Sequence, residues 1–139
     1  MLLVSDKWKD YKILSTKDGE KLEQWGKYIL RRPDPQIFWS SDTKDDKFND
    51  YDAIYHRSKA GGGSLEFKKI LPENWTVDYK DLTFMVKPTG FKHTGIFPEQ
   101  AVNWDYAREK IENANKEVRV LNLFAYTGCA TINASKAGE

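Results

Sequence analysis

The chain has 139 residues, 40% of them hydrophobic and 14% aromatic, which suffices for one ordinary core or two small ones. Its 22 lysines and arginines nearly balance 21 aspartates and glutamates, and a formal net charge of +1 excludes a long-range field that would draw in a polyanionic partner. One cysteine, Cys129, excludes an internal disulfide, and the apolar start of "MLLVSDKWKD" is too short for a signal peptide or a membrane span, so a reducing cytosolic location is the default and no membrane partner is expected.

The first ninety or so residues carry hairpin signals. "YKILSTKDGEKLEQW" sets Asp18-Gly19 between two mixed arms, and Asp-Gly favours the positive φ values that tight hairpin turns need. "AIYHRSKAGGGSLEFKKI" repeats the pattern around Gly61, Gly62 and Gly63, with Ile54 and Tyr55 in one arm and Leu65 and Phe67 in the other. In "WTVDYKDLTFMVKP", Trp75, Val77 and Tyr79 alternate with polar residues before Lys80-Asp81, and Leu82, Phe84 and Val86 alternate after it. Three such pairs predict a half-buried antiparallel β domain over residues 1–88. The prolines and carboxylates of "RRPDPQIFW" and "SSDTKDDKFNDYD" read as surface connections.

The period then changes. Trp104, Ala107, Ile111 and Ala114 recur at three- and four-residue intervals, Pro98 and Glu99 suit a helix start and Lys116 an end, which predicts an amphipathic helix over 99–116. Residues 118–124 are too short for another helix and rich in branched apolar side chains, so they read as a buried strand. The loop "AYTG" leads into a helix over 129–137 that Gly138 ends. Helix, buried strand, tight loop and helix make the opening unit of a parallel α/β sheet. There the amides at the start of the second helix lack partners and favour an anionic group, and Gly128 lets a ligand approach the backbone. One glycine is neither G-x-G-x-x-G nor a P-loop, however, and on spacing alone a plain strand-to-helix turn accounts for it at least as well as a cofactor loop does.

"NLFAYTGCATINAS" resembles the first cofactor motif of the class I S-adenosylmethionine-dependent methyltransferases related to the bacterial large-subunit (23S) ribosomal RNA methyltransferases. "KPTGFKHTGIFPEQAVNW" stands where one branch of that group carries a similar segment, and "DYKILSTKDGEKLEQWG", "RRPDPQIFW" and "YHRSKAGGGSLEF" resemble the rest of that branch's amino-terminal region. The resemblance covers nearly the whole chain. It implies an α+β to α/β fold: an amino-terminal antiparallel β-hairpin domain, then, over 89–139, the first helix-strand-helix of a Rossmann-like domain for S-adenosyl-L-methionine.

By the same resemblance, Phe124, Ala125, Tyr126, Thr127 and Gly128 wrap the methionine part of the cofactor, whose carboxylate suits the helix N-terminus. The segment ahead of the first helix folds over the same pocket: Lys92, His93, Thr94 and Gly95, then Phe97, Pro98, Glu99 and Gln100. Phe97 would cover an apolar face, and Thr94 and Gln100 would offer hydrogen bonds, although Phe97 as a core residue, His93 as a satisfied loop histidine and Gln100 as a first-turn helix residue are the plainer alternatives. In such sheets a carboxylate roughly 20 residues beyond the glycine loop binds the ribose. The sequence ends eleven residues after Gly128, so a truncated chain with half of the cofactor site is expected.

The implied chemistry is methyl transfer from a sulfonium to a nitrogen or carbon, with RNA (an rRNA base) as the implied acceptor. Related enzymes often carry an RNA-binding domain ahead of the hairpins, and the first hairpin here begins by Tyr11, which leaves a protein or small-molecule acceptor open. Cys129 sits on the cofactor helix and is expected to pack rather than attack a pyrimidine. No catalytic residue is assignable and no metal site is expected. Two alternatives stand beside the enzyme. One is an RNA-binding β module, with Arg31, Arg32, Lys68, Lys69, Lys87 and Lys92 interleaving with Trp39, Phe67 and Phe91. Against it, Glu23, Asp34, Asp45, Asp46, Asp50 and Asp52 balance the charge and favour a solvated face. The other is an inactive structural fragment. An incomplete sheet also predicts exposed apolar surface at 118–124 and self-association through it.

Overall fold

Asp18 and Gly19 turn the chain at φ 51° and 79°, joining strand β1 (Tyr11–Lys17) to β2 (Glu20–Trp25) as an Asp-Gly pair dictates. This computed structural model describes residues 2–40, 46–88 and 94–138, with Asp46 through its backbone alone. Expectations that rest on Asp45, the Asp46 side chain, Phe91, Lys92 or His93 lie outside the described residues. The chain divides into two units, Trp8–Gly95 on one hand and Met1–Lys7 with Ile96–Glu139 on the other.

In the first unit β2 continues through a second turn, at Gly26 with φ 61°, into β3 (Tyr28–Pro33). Arg31, Arg32 and Pro33 thus belong to a strand and not to the surface connection that the prolines suggest. The period of two is present but disguised, because the inward positions are Leu30 and a buried arginine, Arg32. After residues 34–52 the chain returns as β4 (Ala53–Arg57), which lies parallel to β3 with Leu30 opposite Ala53 and Arg31 opposite Ile54. A hairpin then leads to β5 (Gly63–Phe67).

The sheet is therefore mixed, in the order β1-β2-β3-β4-β5, where the hairpin signals alone predict an antiparallel one. The long return connection permits the parallel pairing, which no two-residue turn can make. Strands β6 (Trp75–Tyr79) and β7 (Leu82–Val86) form a separate two-stranded ribbon. It is fastened by Trp75, whose Nε1 donates to the Trp25 carbonyl at 3.0 Å and whose ring lies 4.6 Å from that of Tyr28. Trp8 stacks 4.6 Å from Tyr79 on the same ribbon.

Leu22, Trp25, Leu30, Ala53, Val77 and Val86 are among the buried apolar side chains of this unit. Glu23 is buried with them at 0% exposure. It survives there because Arg32 reaches it through two hydrogen bonds, at 2.6 and 3.0 Å, while the Tyr11 hydroxyl donates at 2.7 Å and Lys21 Nζ lies 3.5 Å away. Burial pushes the carboxyl up, but Arg32, Lys21 and Tyr11 together outweigh it and hold Glu23 below the usual glutamate range.

In the second unit a 3-10 turn at Pro98–Gln100 leads into helix α1 (Ala101–Glu112), with Ala101 and Trp104 buried. The helix stops four residues short of Lys116. Asn113 caps it with its N–H on the Glu109 and Ile111 carbonyls, and Asn115 follows in the left-handed region at φ 50°, a conformation asparagine tolerates and a continuing helix does not. Helix α2 (Cys129–Lys136) begins at Gly128 and ends one residue before the expected Ala137.

Between the helices, residues 118–124 do not form the buried strand that their composition predicts. They pair with no strand among the described residues, and Leu121 and Phe124 are 82% and 92% exposed. A strand is held by its neighbours, so branched apolar residues without a ladder partner stay irregular and exposed.

Candidate functional site

Within the second unit, 97–104 and 122–130 border an open cleft of about 560 Å³, in the range of small-molecule sites. The first segment contributes Phe97, Glu99 and Gln100 from the 3-10 turn region, and Trp104 from the first turn of α1. The second contributes Asn122, Phe124, Ala125, Tyr126 and Thr127, and then Cys129 and Ala130 from the start of α2. Pro98 heads the 3-10 turn, is buried, and accepts a hydrogen bond on its carbonyl from Ser5 Oγ at 2.8 Å.

The loop is shaped by its backbone. Tyr126 stands at φ 49° and Gly128 at φ 91°, and the Gly128 N–H closes the turn on the Ala125 carbonyl at 2.7 Å. A left-handed bulky residue is uncommon and marks a conformation imposed by its surroundings. Asn122 helps to impose it, because its Nδ2 donates to Thr131 Oγ1 at 3.0 Å and its Oδ1 accepts from the Phe124 N–H at 3.3 Å. On the opposite wall the Phe97 ring lies 5.0 Å from that of Tyr126, tilted by 46°. Asn133 ties the helices behind both walls: it is 1% exposed and donates to the Trp104 carbonyl at 2.7 Å.

Thr94 belongs to the first unit, where it is 2% exposed and its Oγ1 has no hydrogen-bond partner. Trp104, Asn122 and Ala130 line the cavity without having been singled out for it. Trp104 falls one helical turn beyond Gln100, and that spacing alone could have placed it on the same wall; Asn122 and Ala130 carry no comparable signal.

The donors at the start of α2 suit the carboxylate end of a ligand. Amides at the start of α2 lack intrahelical acceptors and face a carboxylate favourably. A Cβ built on Gly128 would meet no protein atom within 4 Å, so the backbone there is open to a ligand. Among the described residues that line the cavity, Glu99 is the one acid and no Lys or Arg takes part. Burial raises the Cys129 thiol above its ordinary range, against the contact with Thr127 Oγ1 at 3.5 Å, which keeps it a protonated, packing side chain. Among the described residues, no group of His, Cys, Asp or Glu gathers to hold a metal. A larger cavity, about 890 Å³, lies between the carboxyl-terminal parts of α1 and α2 and is lined by Ile111, Val118, Val120 and Ala134 among others. Helix C-termini repel a carboxylate, and the residues of the glycine loop do not reach it.

In the second unit a helix, a glycine loop and a second helix border one cleft, the arrangement expected around the first loop of a nucleotide-cofactor α/β fold. Its relatives narrow the comparison. A solved S-adenosylmethionine-dependent methyltransferase of Agrobacterium tumefaciens superposes on 99% of this chain with a TM-score of 0.89 and 36% sequence identity. The ribosomal RNA large subunit methyltransferase K/L of Magnetococcus marinus is 29% identical over 110 residues, 79% of this chain. Two further structures, one of a Streptococcus mutans protein assigned to the S-adenosylmethionine-dependent methyltransferases and one of a methyltransferase complexed with S-adenosylhomocysteine, match at 18% identity with TM-scores of 0.60 and 0.59, and speak for the fold alone.

No protein-family model matches the chain. The chain spans 44% of the Agrobacterium structure and 13% of the Magnetococcus protein. It is thus related in sequence and fold to the S-adenosylmethionine-dependent methyltransferases and corresponds to the amino-terminal part of their fold.

Proposed function

We propose that these residues are the amino-terminal part of an S-adenosylmethionine-dependent methyltransferase, with a β domain over 1–88 and the start of the cofactor domain over 89–139. The observation that carries the reading is the cleft in which loop residues 124–127 and segment 97–104 meet at the start of α2, in a chain that a methyltransferase structure matches over 99% of its length. Phe124, Ala125, Tyr126, Thr127 and Gly128 would hold the methionine end of the cofactor, Phe97 and Gln100 would form the facing wall, and Thr94 and Pro98 belong to the same proposed set. When bound there, S-adenosylmethionine would supply an electrophilic methyl group for transfer, with its sulfonium as the leaving thioether, and these residues would hold and orient its methionine end.

The acceptor proposed is an RNA base, by analogy with the Magnetococcus relative, in a cytosolic enzyme. Among the described residues no helix is long and apolar enough to cross a membrane. The part of the site proposed here is the methionine side; the ribose-binding carboxylate of such sheets is expected roughly 20 residues beyond the glycine loop. A missing charged hydrogen-bond partner costs about 1.5–3 kcal/mol, or roughly 10- to 150-fold in affinity.

Titration of the chain with S-adenosylhomocysteine, followed by amide resonances, tests this directly. Weak but saturable binding that moves the signals of Ala125 to Ala130 is expected. Gly128→Val, which strains a left-handed backbone and fills the open approach, should weaken the binding further. Unmoved signals in that stretch would overturn the assignment of the loop, and micromolar affinity would overturn the division of the site.

A further inference from the structure

We infer that residues 2–7 are a strap that sets one wall of the cleft in place, with Ser5 and Lys7 as positioning residues acting through Pro98 and Asp105. The consequence for ligand binding rests on the function proposed above; the hold on the wall does not.

The wall consists of Phe97, Glu99, Gln100 and Trp104. Residues 2–7 belong to the same unit as this wall and meet it at two points. Ser5 Oγ donates to the Pro98 carbonyl at 2.8 Å, across 93 positions of sequence. Lys7 Nζ donates to Asp105 Oδ2 at 3.0 Å. Pro98 stands between the lining residues Phe97 and Glu99, and Asp105 follows the lining residue Trp104, so the two ties fall at the two ends of the wall. Ser5, Lys7, Pro98 and Asp105 are themselves not among the described lining residues. The strap therefore acts from outside the cleft.

Two features point to a holding role. Leu2, Leu3 and Val4 are 88%, 58% and 60% exposed, so apolar burial contributes little to keeping the segment against the turn. The polar ties matter correspondingly more. The start of the helix also lacks a local fastening, because Gln100, at the N-cap of α1, makes no side-chain cap hydrogen bond. Instead the Pro98 carbonyl accepts both the Ala101 N–H, which leads the 3-10 turn into α1, and the Ser5 hydroxyl. The ties are unequal. The Lys7 side chain is 62% exposed, and water and salt screen its pairing with Asp105, whereas the Ser5 bond is partly buried. Ser5 should carry most of the effect. A wall in place for only part of the time lowers the apparent affinity of the cleft by that fraction.

The test reads amide hydrogen exchange of the ligand-free chain first, then titration with S-adenosylhomocysteine. Ser5→Ala should speed exchange at Gln100 and Ala101, whose amides close the turn on the Phe97 and Pro98 carbonyls, on the order of threefold to tenfold. Ile132, bonded to the Gly128 carbonyl in α2, is the internal reference and should not change. Lys7→Ala should have a smaller effect, and Ser5→Thr, which keeps the hydroxyl, should restore slow exchange. Affinity for S-adenosylhomocysteine should fall by a similar factor in Ser5→Ala and recover in Ser5→Thr. Unchanged exchange at Gln100 and Ala101 in Ser5→Ala overturns the inference and leaves the proposed function intact. Faster exchange with unaltered affinity overturns the positioning role. Absence of saturable binding to the unaltered chain overturns the proposed function, and the exchange comparison, made without ligand, still decides whether the strap holds the wall.

Discussion

At the scale of single residues, the energetic burden of the first unit is concentrated in Glu23. A carboxylate at 0% exposure is tolerated because Arg32 meets both oxygens, and such a pair is weakly stabilising as a whole yet costly to break. Glu23→Leu alone is therefore expected to destabilise the chain by about 3–5 kcal/mol, by stranding the Arg32 charge, whereas Glu23→Leu with Arg32→Met should recover most of the loss. Urea unfolding of the three proteins checks this; equal instability of the single and double variants would show that shape, not charge, is what the site requires. The pH dependence has a definite sign. Because the Glu23 carboxyl is held below its usual range in the folded chain, its contribution is complete above the unfolded value of about 4.3 and is lost as pH falls through the depressed folded value. Removing the Arg32 partner leaves burial opposed by Lys21 and Tyr11 alone, so the carboxyl rises and the loss of stability on acidification should become shallower than in the unaltered chain.

At the scale of elements, secondary structure here follows the availability of partners. Strands β2 and β3 have neighbours on both sides, while residues 118–124, richer in β-forming side chains, have none among the described residues. Hydrogen exchange should separate them: amides in the interior of β2 and β3 should exchange slowly, and those of 118–122 within the dead time of a manual experiment. Slow exchange at 118–122 would mean that the stretch finds a ladder in solution.

The same comparison shows what the sequence could disclose. The Asp18-Gly19 turn was legible because positive φ demands particular residues, and the Lys80-Asp81 turn because apolar alternation runs up to it from both sides. Helix α2 was legible to within one residue, from Gly128 and the small side chains after it. Strand β3 was not, because Arg32 occupies an inward position that a hydrophobicity pattern assigns to water. The parallel β3–β4 pairing was not legible either, since Leu30 and Ala53 are brought together by a connection whose path no local pattern encodes. In the cavity, the loop was visible as a motif, whereas the Asn122 brace and the Trp104 wall depend on where α1 lies beside α2.

At the scale of the whole molecule, apolar exposure and charge balance act together. Val120, Leu121, Leu123 and Phe124 are all more than half exposed, and they follow one another along a stretch with no ladder partner among the described residues. A contiguous apolar strip with open backbone groups is a surface on which other chains pair. A large net charge would oppose this by repulsion, but 22 positive and 21 negative side chains leave only +1. The chain is thus expected to self-associate, with a sedimentation coefficient that rises with concentration and little sensitivity to salt, because the attraction is apolar. Leu121→Lys places a charge in the middle of the strip, at a position already 82% exposed. It should keep the chain monomeric over the same concentration range, with no measurable loss of stability. A polypeptide supplying the remaining strands of the fold would compete for the same strip, so its addition should dissolve the self-association of the unaltered chain. If Leu121→Lys associates as readily as the unaltered chain, the contact lies elsewhere, and 118–124 stays open in the assembly too.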